Sequence, residues 1–108
     1  MSKIDLPKLH WLISKHEGRY VTNVYSASLG TLPNEGSINV KTFNYRVHVD
    51  TSSGKESEFR LIAESYIINP WNTGGHKSNM ERSEFEATER GLILASQWLS
   101  ITATKFGF

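Results

Sequence analysis

The chain has 108 residues, no cysteine, and 12 Lys and Arg against 11 Asp and Glu, for a net charge of +1. One domain is expected at this length. The missing cysteine excludes a disulfide scaffold and a Cys-based zinc site, and the even charge balance is not that of a protein that coats nucleic acid.

A hydrophobic share of 38% with 11% aromatics can build a core, which argues against disorder. No apolar run approaches the roughly 18 residues that span a bilayer. The opening MSKIDLPKLHWLISKHEG is broken by charge and by Pro7, unlike a signal peptide. No repeat or low-complexity segment is present. The expectation is a cytoplasmic single domain, 1–108, without membrane association.

Residues 6–16 carry two periodicities. Leu9, Leu12, Ile13 and His16 keep helical spacing, with Pro7 suited to a first turn and Gly18 to the residue just past the end. Leu9, Trp11 and Ile13 also alternate, and Lys15-His16-Glu17-Gly18 then turns into the next segment. The strand reading is favoured because a short Gly-containing loop links it to residues 19–29. Arg19 to Leu29 has strand propensity through Tyr20, Val21, Thr22, Val24 and Tyr25, with mixed faces. Residues 30–36 read as a loop.

The clearest strand runs from Lys41 to Asp50. Phe43, Tyr45, Val47 and Val49 share one face, and Thr42, Asn44, Arg46 and His48 the other. A second runs from Glu56 to Ile68, with Phe59, Leu61, Ala63 and Ile67 inward and Ile62 as the exception on the polar face. Thr51 to Lys55 is the turn of the resulting hairpin. Charge complementarity favours the register that sets Arg46 against Glu58, His48 against Glu56 and Tyr45 against Phe59.

The run Glu81 to Arg90 is rich in both charges and reads as a solvated helix N-terminus. The helix itself covers about 89–104, with Thr88 as N-cap and Glu89 at the positive end of the dipole. The fold class is therefore α+β: a three- to four-stranded antiparallel β-meander packed against one long C-terminal helix. The expected core holds Phe43, Tyr45, Val47, Phe59, Leu61, Ala63, Leu92, Ala95, Trp98 and Leu99. The apolar arc of the helix is broad, so Ile93, Ile101 and Phe106 are left for a homodimer contact through the helix. The competing arrangement is a monomer in which Leu9, Trp11, Leu12 and Ile13 fold over that surface.

With residues 6–16 helical, the element order α-β-β-β-α resembles that of a double-stranded-RNA-binding domain. The Lys-rich start of that family's final helix is replaced here by Glu86-Ala87-Thr88-Glu89-Arg90.

No catalytic motif is present. The spacings of phosphate and dinucleotide loops, of the serine-hydrolase elbow and of His-based metal sites are all missing. No catalytic residue, metal ligand or cofactor is expected. His10, His16, His48 and His76 read as solvated or hydrogen-bonded. The stretch Asn69 to Asn79 combines Trp71, Asn72, a Gly pair and His76, the composition of a strand-to-helix connector or of a recognition loop. The functional expectation is a non-enzymatic protein-binding module of adaptor or inhibitor type, with another protein as partner. Its candidate binding residues are Trp71, Asn72, His76, Arg46 and Arg60. The alternative is a nucleic-acid-binding domain of sheet-plus-helix type using Lys41, Arg46, Arg60 and Lys77. A third possibility is a small enzyme centred near Trp71 and His76.

Overall fold

The structure, a computed structural model, describes residues 4–33, 40–68 and 77–108. Trp71, Asn72 and His76 lie outside the described residues.

Residues 9–16 use both of their periodicities in turn. A single helical turn, α1 (Leu9–Leu12), passes directly into β1 (Ile13–His16), which pairs antiparallel with β2 (Arg19–Thr22). Glu17 and Gly18 form the loop with φ of 50° and 77°. Two consecutive positive φ values are what a two-residue hairpin of matching twist requires. The segment read as one strand over 19–29 is broken after Thr22. Asn23 turns back, its backbone N–H donating to the Leu12 carbonyl at 3.0 Å and its side chain to the Trp11 carbonyl at 2.7 Å. Beyond it, β3 (Tyr25–Pro33) joins the main sheet.

That sheet has the antiparallel order β3-β4-β5-β6, with β4 at Val40–Asp50, β5 at Arg60–Ile68 and β6 at Lys77–Glu86. The fold class is as expected: an antiparallel meander against a C-terminal helix, α2 (Glu89–Lys105). The helical reading of the 81–90 run fails for residues 81–86, which form the second half of β6. There Ser83 and Phe85 alternate with Arg82, Glu84 and Glu86, and the strand is fixed by pairing with β5, Ile62 against Glu84 and Leu61 against Phe85. The order with a single N-terminal helix and three strands is not formed.

The β4–β5 register also differs from expectation. Arg46 faces Glu64, His48 faces Ile62, Tyr45 faces Ser65 and Asp50 faces Arg60. The connection is longer because Glu56–Glu58 form a 3-10 turn, so Glu56 and Glu58 are not strand residues. The loop is anchored by side chains that the strand-pair argument left out. Phe59 is buried beneath Tyr20, edge to face at 4.9 Å, and the Tyr20 hydroxyl donates to Glu56 at 2.9 Å. Burying a Phe is worth roughly 1.5–3 kcal/mol, more than the ~0.2–1 kcal/mol of one cross-strand charge pair.

The core lies on one face of the sheet. Phe43, Val47, Leu61 and Ala63 are fully buried beneath Ala95, Leu99 and Ala103 of α2. Of the expected core, only Leu92 and Trp98 are half-buried rather than buried. Trp98 meets Phe85 with ring centroids 6.3 Å apart. Phe106, expected outside the core, packs against it. The N-terminal segment crosses the helix: Ile4 is buried, its N–H donates to Ser100 Oγ at 3.3 Å, and its carbonyl accepts from Ser96 Oγ. Leu12 is fully buried while Trp11 is largely exposed. Among the described residues no helix is long and apolar enough to cross a membrane.

The start of α2 is tightly specified. Thr88 Oγ1 accepts from the Gly91 N–H at 3.1 Å, completing the expected cap. Gly91 is buried, and a Cβ built there would stand 1.7 Å from the Glu86 carbonyl oxygen. Gly→Ala inside a helix normally stabilises by about 0.5–1 kcal/mol. Here we expect Gly91→Ala to destabilise by at least about 2 kcal/mol, because main chain rather than a side-chain tip must give way. Urea denaturation checks the sign.

Tyr45 is buried on the core face, and its phenol is pushed up to about 12, chiefly by burial and then by its neighbours Tyr25 and Asp5. A folded-state value above the unfolded one means that stability is intact below about pH 10 and drains away as pH rises through about 12. We expect the loss of stability between these values to be shallower in Tyr45→Phe than in the unaltered protein, measured by denaturation at fixed ionic strength.

Candidate functional site

The second face of the sheet has no element packed on it among the described residues. Its alternating positions are Ser26 and Ser28 on β3, Thr42 through Asp50 on β4, Arg60 through Ile68 on β5, and Arg82, Glu84 and Glu86 on β6. Ile62 is buried on this side, in register between His48 and Glu84. The stems of such polar neighbours cover apolar surface while their heads stay wet. Asn44 is also withdrawn from solvent. Its carbonyl oxygen accepts from Ser28 Oγ at 2.6 Å, and its amide donates to Thr42.

The charges on this face are paired in a chequered pattern. Glu64 Oε1 lies 3.4 Å from both Arg46 Nε and His48 Nε2. His48 therefore sits beside Glu64 and not beside Glu56 as expected; Glu56 is held by Tyr20. Arg82 lies 3.6 Å from Glu84. Arg46 and Arg60 share the face, but Ile62 and Glu64 lie between them in register, and Arg60 faces Asp50 and Glu86. The Asp50 carboxylate accepts the Ser52 N–H at 2.9 Å, which holds it below the usual carboxylate range.

Toward the far end of β5 the face opens into a groove of about 310 Å³ lined by Arg46, Tyr66, Lys77, Met80 and Arg82. Strand β6 makes this groove through an irregularity. Its register against β5 shifts between Ser65 and Ile67, and Asn79 takes φ of 50°. The kink leaves Met80 at 67% exposure. The Lys77 ammonium stands over the Tyr66 ring, 4.5 Å from its centroid.

A second concavity of about 280 Å³ lies where the β1–β2 hairpin meets the sheet. Leu9, Ile13, Tyr20 and Phe59 line it, with Glu56 and Glu89 at its polar side. Its main polar groups are already engaged. Tyr20 and Glu56 bond to each other, which raises the Tyr20 phenol, and Lys15 lies over the Tyr20 ring at 5.6 Å. This concavity is the seam that docks the hairpin. Among the described residues no group of three or more acidic or histidine side chains is placed to hold a metal ion.

Of the expected binding residues, Arg46 lines the groove and Arg60 lies farther along the same face. Arg82 was missed because the run from Glu81 was read as a helix start, and Met80 fell between that run and the connector ending at Asn79. The signal available was the period-two alternation from Arg82 to Glu86. No family model, curated protein or solved structure matches the chain.

Proposed function

We propose that the protein is a non-catalytic protein-binding module of adaptor or inhibitor type, whose partner docks on the open sheet face at the groove of Arg46, Tyr66, Lys77, Met80 and Arg82. The observation that carries this reading is the exposed Met80 beside a tyrosine and two arginines on a face that no described element covers. Tyr, Met and Arg are the residues enriched at protein interfaces. Methionine adapts its shape to a partner surface at little cost.

The charge arrangement favours this reading over nucleic-acid binding. A phosphate backbone calls for cations that are not already neutralised. Here Arg46 is paired with Glu64 and Arg82 with Glu84. A surface of interleaved signs suits a partner with the complementary mixture, and such patterns set specificity and on-rate.

The test is capture by the immobilised protein, followed by affinity measurement with the recovered partner. We expect Met80→Asp and Arg82→Glu each to weaken that affinity by about tenfold or more. Both side chains are exposed, so circular dichroism and melting should be unchanged. Unaltered affinity in both variants overturns the placement. Retardation of RNA or DNA at low salt, abolished by Arg46→Glu, would establish the nucleic-acid reading in its place.

A further inference from the structure

Helix α2 is covered on three sides by its own chain. Gly91, Ala95, Leu99 and Ala103 face the sheet, Ser96 and Ser100 carry the N-terminal segment, and Trp98 lies against Phe85. Along the fourth side runs a ridge at i, i+4 spacing, Glu89, Ile93, Gln97, Ile101 and Lys105, with Arg90 and Thr104 exposed on the same side. Ile93 and Ile101 are each 59% exposed, and Leu94 beside them is 42% exposed.

This ridge is symmetric in a specific way. About Gln97, an isoleucine lies one step to either side, an acid two steps toward the N-terminus and a base two steps toward the C-terminus. We infer that the ridge pairs with a second copy of this chain, antiparallel, across a two-fold axis through Gln97. Ile93 then packs on Ile101 of the partner subunit, and Glu89 meets Lys105 of the partner subunit at both ends. Parallel pairing would oppose acid to acid and base to base. The antiparallel arrangement also opposes the helix dipoles. Gln97 carries both donors and an acceptor, so it can bond to its own symmetry mate.

Lys105 Nζ already lies 2.9 Å and 3.0 Å from the two oxygens of Glu81, yet its side chain stays half exposed. In the pair it bridges two carboxylates. A one-helix contact is smaller than the roughly 800 Å² per partner of a standard interface, so a dissociation constant on the order of micromolar is expected. This inference does not depend on the proposed partner at the sheet face, which lies on the other side of the sheet.

Sedimentation equilibrium up to a few hundred micromolar should give twice the 12.2 kDa chain mass. Ile93→Glu or Ile101→Glu should weaken the dimer by about a hundredfold or more, since symmetry counts each change twice. Their melting, measured where both are monomeric, should be little altered. Glu89→Lys alone and Lys105→Glu alone should each dissociate, while a mixture of the two should form a heterodimer with every end pair restored.

The axis has its own test, because the chain has no native thiol. Helix axes about 8–10 Å apart, with Cα atoms about 2.3 Å off each axis, bring a residue on the two-fold axis within disulfide reach of its mate. Gln97→Cys should therefore cross-link rapidly with diamide, which takes up the two electrons and two protons released by the thiols. Arg90→Cys should not, since its mate lies about 21 Å away along the axis. A mass of 12.2 kDa at the highest concentration, a dimer that survives both isoleucine changes, or equal cross-linking at positions 90 and 97 would each overturn the proposal.

Discussion

Phe43, Val47, Leu61 and Ala63 stand on the two central strands and are withdrawn from water completely. Covering that one apolar face is the constraint that places the other elements. A single helix supplies the lid, and only small residues at its contact, Gly91, Ala95 and Ala103, let it lie close enough. The outer part of the face exceeds the width of one helix. The chain meets the remainder with Ile4 and Leu12 from one end and the ring of Phe108 against Phe43 from the other. The N-terminal hairpin then closes the open end of the sheet through Tyr20 and Phe59.

Two surfaces remain once this is done, and they differ in chemistry for a structural reason. The open sheet face is polar, no described element packs on it, and Arg46 and Arg82 lie beside neighbouring carboxylates. The outer ridge of α2 carries exposed Ile93 and Ile101 on either side of Gln97. A polar face tolerates water at no cost. Exposed isoleucines do not, and removing them from water is the physical gain of the proposed helix contact.

Much of this was legible in the residues. The alternation from Phe43 to Val49 named the core face directly, and Thr88 before Glu89 fixed the start of the helix. Ile62 was recognisable as an apolar residue on the polar side, though only the structure shows it buried between neighbours. Strand β6 was harder. Its inward positions are Glu81, Ser83 and Phe85, too polar for a hydrophobic pattern, and what makes it a strand is pairing with the preceding strand β5. Residues 9–16 defeated a single assignment because a helical turn and a strand share them. The β4–β5 register turned on the burial of Phe59, which local charge matching could not weigh. Arg46 was legible as a residue of the polar face; Met80 was not, because the strand that carries it was not read as one.

The same kink at Asn79 bears on how the sheet ends. β6 is an outer strand, and an outer strand offers a row of unpaired backbone groups to any extended chain that can lie straight alongside. The left-handed residue near its start interrupts that row, and Arg82, Glu84 and Glu86 put one basic and two acidic side chains along its second half. An incoming strand would have to match the kink and accept the charges at once. An irregular, charged rim of this kind disfavours growth by strand addition, the route toward fibrous assembly, along this edge.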